Sequence, residues 1–210
     1  QSRLGPIEGW PQSLRSALSI CLNSSFPIAL YWGPDLVLLY NDDWSPILGE
    51  KHPWALGRPA REVWPEIWDT IGPLYDQVLT TGQATRQQDQ LLPMRRHGFT
   101  EECYFDYTFS PVRGESGSVD GVFNAVIETT KRVIDERRLR TLRELSSRTI
   151  EEAKTAGEAC ETAAQLLAGN SHDLPFALFY VCEEDQRRAA LAGHAGMEAD
   201  TPISTVAVDV

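Results

Sequence analysis

The sequence is poor in the features that most often announce a function. It holds four cysteines in 210 residues, Cys21, Cys103, Cys160 and Cys182. They form no CxxC pair and no Cys/His cluster, which speaks against structural zinc and a redox motif and predicts reduced, mostly buried thiols. No apolar run approaches the ~18–20 residues that span a bilayer. Positive charge is scarce: 19 Lys and Arg stand against 30 Asp and Glu, a net charge of −11, so the chain repels phosphate backbones and no nucleic-acid partner is expected. A Walker A loop, a GxSxG elbow, a GxGxxG after a strand and an HExxH are all missing. The four histidines (His52, His97, His172, His194) have no i, i+4 partner among themselves, and metal ligation is not expected. Asp42-Asp43, Glu101-Glu102 and Glu183-Glu184 are adjacent pairs at element ends, read as caps and solvated turns. The chain starts at Gln1 without a signal-peptide pattern, which reads as a piece of a longer cytoplasmic protein.

What is present is globular composition, 42% hydrophobic and 9% aromatic, too apolar for a disordered chain. All six tryptophans fall between Trp10 and Trp68. Leu14, Ala17, Leu18, Cys21 and Leu22 recur at helical spacing behind Pro11 and predict a short amphipathic helix over 11–23. Two apolar runs, Ile28 to Trp32 and Leu36 to Tyr40, flank Gly33-Pro34-Asp35 and predict a β-hairpin. Asn41-Asp42-Asp43 can cap a short helix bearing Trp44, Ile47 and Leu48, closed by Gly49. Residues 59–82 predict one or two helices. Val63, Trp64, Ile67, Trp68 and Ile71 form one stripe, and Leu74, Val78 and Leu79 another. The period then becomes two. Cys103, Phe105, Tyr107 and Phe109 share one face of a strand opposite Tyr104, Asp106 and Thr108. A further strand over 119–127 carries Val122, Phe123, Val126 and Ile127, and a more polar one over 84–92 precedes the pair. The expected fold class is α+β: a five-stranded antiparallel sheet with short helices on one face.

This order, with these residues, resembles a PAS domain over roughly 25–131. Phe26 to Gly33 is similar to its first strand and Leu38 to Asp42 to its second. Leu56-Gly-Arg-Pro-Ala-Arg-Glu-Val-Trp-Pro-Glu-Ile-Trp68 resembles the helix entry of PAS modules in bacterial sensor kinases. Tyr107 to Arg113 with Gly121-Val-Phe resembles the last hairpin, and Glu128-Thr-Thr130 the acidic-x-Thr exit. Residues 132–154 then read as a connector helix. Leu139, Leu142, Ser146 and Thr149 leave open whether it is a coiled-coil seam or a solvated helix. Thr155-Ala-Gly-Glu158 is a capping-box pattern opening a helix. A hairpin over 175–193 follows, and helix plus hairpin look like the start of a GAF domain over 155–210. Residues 1–24 would be a separate amphipathic helix.

The resemblance implies a pocket between the sheet and the helical segments. Its candidate wall is Tyr31, Trp44, Trp64, Trp68, Phe105, Tyr107 and Phe109, with Asn41 as a polar contact. Aromatic walls with few polar groups suit a small planar or apolar ligand, while the same side chains could simply fill the core. No cofactor is identified. A flavin-adduct (LOV) centre lacks its Asn-Cys-Arg-Phe-Leu-like motif, and haem lacks a histidine in the helical stretch. The expected partners are a second copy of the chain, through the N-terminal and connector helices, and a downstream output domain. The PAS-GAF order points to a sensor histidine kinase, with a serine phosphatase of sigma-factor regulation and a ligand-free interaction module as alternatives. No catalytic or metal-binding residue is assigned.

Overall fold

Two apolar runs without polar alternation need cover on both faces, and the fold supplies it. The structure is a computed structural model; it describes residues 4–183, 187–199, 201 and 204–209, without the side chains of 149–152 and 209. Strands β1 (Ile28–Trp32) and β2 (Val37–Tyr40) are buried at every position. With β3 (Thr85–Arg95), β4 (Thr100–Arg113) and β5 (Val119–Glu128) they form one antiparallel sheet in the order β2-β1-β5-β4-β3. Helix α1 (Gln12–Leu22) lays Leu14, Ala17 and Cys21 on the outer face, against Ile28, Leu30, Trp32 and Leu39. Its predicted stripe is therefore spent within the chain, apart from Leu22, which is exposed. Glu115, in the β4–β5 loop, accepts the backbone N–H and the hydroxyl of Ser13 at the start of α1, where a carboxylate meets the positive end of the helix dipole.

The inner face carries the larger core. Ala29, Tyr31, Leu38, Tyr40, Cys103, Phe105, Tyr107, Phe109, Val122 and Val126 point into it. On β5 the alternation is Val122, Asn124 and Val126 inward, so Phe123 packs on the α1 side and Ile127 is exposed. The segment between β2 and β3 covers this face with a 3-10 turn at Asp42–Trp44, α2 (Ser45–Leu48), α3 (Ala60–Val63) and α4 (Trp68–Thr81). The stretch read as a helix entry first laces the open edge of β2: Leu38 donates to the Arg58 carbonyl, and Gly57 and Ala60 donate to the carbonyls of Leu38 and Leu36. Trp64 precedes Pro65 and takes φ −121°, ψ 47°, so one predicted helical stripe is broken in two, as a residue before proline disfavours the α region. Gly82, in the left-handed conformation, ends α4.

Contacts divide the chain into two units, Gln1–Val133 and Ile134–Val210. Helix α5 (Thr130–Glu152) leaves the first unit. Leu139 and Leu142 on it are exposed, and the Thr149 side chain of the expected seam lies outside the described residues. In the second unit, α6 (Ala156–Ala168) precedes β6 (Ala177–Cys182), β7 (Arg188–Ala195) and β8 (Ala207–Asp209), a three-stranded antiparallel sheet in that order. Thr155 caps α6 through the Glu158 N–H, while the Glu158 carboxylate reaches back to the Lys154 N–H. Residues 184–186 of the expected acidic turn lie outside the described residues. Of the four thiols only Cys21 and Cys103 are buried; Cys160 is half-buried and Cys182 exposed. Among the described residues no helix is long and apolar enough to cross a membrane.

Candidate functional site

Four of the five strands and the helical cover send side chains, most of them aromatic or branched, to one cavity of about 40 Å³. Tyr31 comes from β1, and Leu92 and Met94 from β3. Phe105, Tyr107 and Phe109 are on β4, and Asn124 and Val126 on β5. The helical cover contributes Trp44, Ile47, Trp64, Ile67, Ile71 and Tyr75. Most of the aromatic rings fall into two contacting groups, one around Tyr75 and one around Trp44. Tyr75 stacks on Phe109 at 4.3 Å and meets Tyr31 edge-on at 4.9 Å, while Trp44 meets Trp64 edge-on at 5.8 Å. Such offset and T-shaped pairs are favourable beyond the area they bury.

The polar atoms of this wall are only partly matched to one another. The Trp64 indole N–H donates to the Tyr31 hydroxyl at 3.3 Å, and the Tyr75 hydroxyl has Tyr31 as its neighbour. The Asn124 amide donates to the Thr108 carbonyl. The Trp44 indole N–H and the Tyr107 hydroxyl, both buried, have no hydrogen-bond partner. Each such group costs about 1–3 kcal/mol relative to a satisfied one. Burial pushes the hydroxyls of Tyr31 and Tyr107 up to about 12 and that of Tyr75 well above its ordinary value. All three are neutral at physiological pH. No charged side chain lines the cavity. The nearest cation, Lys51, lies over the Trp64 ring at 4.4 Å but spends its protons on Glu66 and the Val63 carbonyl.

Of the residues expected at the wall, the structure brings six together: Tyr31, Trp44, Trp64, Phe105, Tyr107 and Phe109. Two lie elsewhere. Trp68 is half-buried and stacks on Tyr75 at 5.9 Å without reaching the cavity. Asn41 is buried, but its amide donates to the carbonyls of Ser24 and Phe26 and its oxygen accepts the Ile28 N–H. It neither touches the cavity nor caps the following turn; it ties the entrance of β1 to the end of β2. Tyr75 and Asn124 are the polar wall residues that were missed. Tyr75 sits four residues after Ile71 and three before Val78, and Asn124 sits between Val122 and Val126, so helical and strand periodicity point to both.

A sheet of this order, closed on its inner face by short helices, now meets the comparison of sequences: residues 22–134 match the PAS fold family. The chain belongs to that family. It contains a PAS sensory domain. Similar solved structures include a sensory box sensor histidine kinase from Vibrio cholerae, 21% identical, with 55% of this chain and 86% of that chain covered and a TM-score of 0.38. A PAS domain from Colwellia psychrerythraea is 14% identical, with coverage of 56% and 98% and a TM-score of 0.43. An RNA-binding light-oxygen-voltage receptor is 22% identical, with coverage of 72% and 43% and a TM-score of 0.46.

The exit of the PAS domain is held by a second polar cluster. Arg96, 9% exposed, donates two parallel hydrogen bonds to Glu128 at 2.8 Å and one to Glu101 at 3.1 Å. Burial alone would raise the Glu101 and Glu128 carboxyls, but bonds from His97 and Arg96 to Glu101, and from Arg96 and Thr130 to Glu128, hold both below their ordinary values. Glu101, read from sequence as part of a solvated turn, is therefore an ion-pair partner. Asp89 adds a third tie. It sits at the bulge of β3 with φ 46°, and its carboxylate accepts the Thr129 hydroxyl at 2.7 Å and pairs with Arg132 on the first turn of α5.

Proposed function

We propose that the PAS domain is the ligand-sensing part of a bacterial signal-transduction protein, and that occupancy of its cavity biases α5. One observation carries this reading: two buried polar groups without partners, the Trp44 indole N–H and the Tyr107 hydroxyl, line one aromatic cavity. A small molecule that accepted their hydrogen bonds would recover what the empty arrangement forgoes. Strand β5 supplies the route. It carries Asn124 and Val126 at the wall and, two residues on, Glu128 in the cluster that holds the start of α5. A ligand shifts such an equilibrium only by its differential affinity for the two arrangements. Native mass spectrometry of the purified protein, together with titration of small ligands against its Trp44 indole NMR signal, tests the reading: a retained small mass or a saturable shift, lost when Tyr107 is changed to Phe, is the expected result. The absence of both overturns it.

The output rests on the order of segments. With 155–210 as the opening of a GAF domain, the full-length protein is a cytoplasmic, homodimeric sensor histidine kinase. The reading frame beyond Val210 tests this: an H-E-x-R-x-P box supports the kinase, and Asp-rich metal motifs support the sigma-factor phosphatase instead. The small cavity, about 40 Å³ against the ~300–1,000 Å³ of drug-sized sites, favours a second reading, a ligand-free interaction module. The same volume argues against a flavin or a haem on this inner face.

A further inference from the structure

The ligand class follows from what the cavity offers, and this step rests on the sensor reading above. Two unmatched groups decide it. The Trp44 indole N–H can only donate, and it has no partner. The Tyr107 hydroxyl is unpaired and can donate as well, whereas the Tyr31 hydroxyl has Trp64 and Tyr75 as partners. No lysine, arginine, histidine or carboxylate lines the cavity, so neither an anion nor a cation would find a countercharge. The volume of about 40 Å³ corresponds to a few water-sized spheres. Aromatic side chains make up half of the wall residues and favour a flat group over a tetrahedral one.

We propose that the cavity binds a small uncharged carbonyl compound, such as a short amide, ketone or aldehyde, whose oxygen accepts hydrogen bonds from the Trp44 indole N–H and the Tyr107 hydroxyl. One carbonyl oxygen has two lone pairs, so it can take both donors at once.

Acetamide and acetate have nearly the same shape and differ in charge, which makes them the decisive pair. In ¹⁵N-labelled protein the Trp44 indole signal, assigned with Trp44→Phe, reports the wall directly. Acetamide shifts that signal saturably, with a dissociation constant of roughly millimolar order for so few atoms. Acetate binds at least about tenfold more weakly, because its charge is unmatched. Tyr107→Phe keeps the ring and removes the hydroxyl. It weakens acetamide binding by roughly tenfold and, by deleting an unpaired buried group, leaves the melting temperature of the free protein unchanged or raises it. Equal shifts from acetate and acetamide, or acetamide binding unaffected by Tyr107→Phe, overturn the proposal. Xenon separates the two levels of failure. If xenon enters the cavity and acetamide does not, the site exists but its ligand is apolar, and the carbonyl assignment falls alone. If neither enters, the sensor reading falls with it and the ligand-free module stands.

Discussion

Single residues decide which polar groups belong to the fold and which to the site. Asn41 and Tyr107 are both buried polar side chains facing different duties. The three hydrogen bonds of Asn41 all go to backbone between Ser24 and Ile28, so Asn41→Ala strands two carbonyls and one N–H. It should cost about 2–3 kcal/mol, seen as a lower urea midpoint by tryptophan fluorescence, without changing ligand retention. Loss of retention in a still-folded Asn41→Ala protein would place Asn41 at the site after all. Gly121 is a second residue with a packing duty. It pairs with Trp32 across β1 and β5, and a Cβ there would lie 2.5 Å from the Trp32 ring and 2.9 Å from the Tyr31 carbonyl. Since one of these neighbours is backbone, Gly121→Ala should destabilise by about 2 kcal/mol, measured in the same way.

At the level of elements, periodicity was readable wherever one face alone is covered. β4 alternates because its outer face is only half covered: Cys103, Phe105, Tyr107 and Phe109 are buried while Tyr104, Asp106 and Thr108 are not. The unbroken apolar runs of β1 and β2 carried a further message, cover on both faces, which assigns α1 to the sheet rather than to a separate segment. What local pattern could not carry was long-range polar chemistry. Ser13 and Glu115 are 102 residues apart, and Arg96 and Glu128 are 32 apart; nothing in either neighbourhood names the partner. The fastening of α5 in the second unit is of this kind as well. Asp173 accepts from Arg137 at 2.7 Å and from Arg138 at 3.2 Å, and the Arg137 hydrogen bond, above all, lowers its carboxyl to about 2. The unfolded carboxyl titrates near 3.9, so as pH falls the unfolded chain takes up the proton first. This contribution is complete above about pH 4 and is lost as pH drops through about 2. Protection of the α6 amides, taken relative to their intrinsic exchange rate at each pH, should therefore fall between pH 4 and pH 2 in the wild type, and Asp173→Asn should be less protected at pH 6 with a flatter pH response. An Asp173→Asn protein matching the wild type at pH 6 would remove the ion pair from the account.

For the whole molecule, the five-stranded sheet has two cores on its two sides, and only one of them contains the aromatic cavity. The inner core contains the cavity wall; the outer one exists because α1 covers Ile28, Leu30, Trp32 and Leu39. A domain boundary drawn at residue 25, as the resemblance by itself suggests, cuts through the outer core. Removing residues 1–24 exposes these four side chains and the half-buried Phe123 together, a contiguous apolar patch of the kind that monomeric proteins avoid. With about 1.5–3 kcal/mol for each fully buried large side chain, partly offset by the ordering entropy of an 11-residue helix, the net loss should be about 3 kcal/mol or more. All six tryptophans lie in the first unit, so their fluorescence reports its unfolding alone, whatever the second unit does. Residues 1–133 should then unfold in one cooperative transition, whereas residues 25–133 should unfold at lower urea, bind a hydrophobic dye and self-associate. Equal urea midpoints for the two fragments would mean that α1 is an attachment to the PAS domain and not part of its core. The cavity, lined wholly from the opposite face, gives the complementary readout: in whatever fraction of 25–133 remains folded, the Trp44 indole should still respond to acetamide.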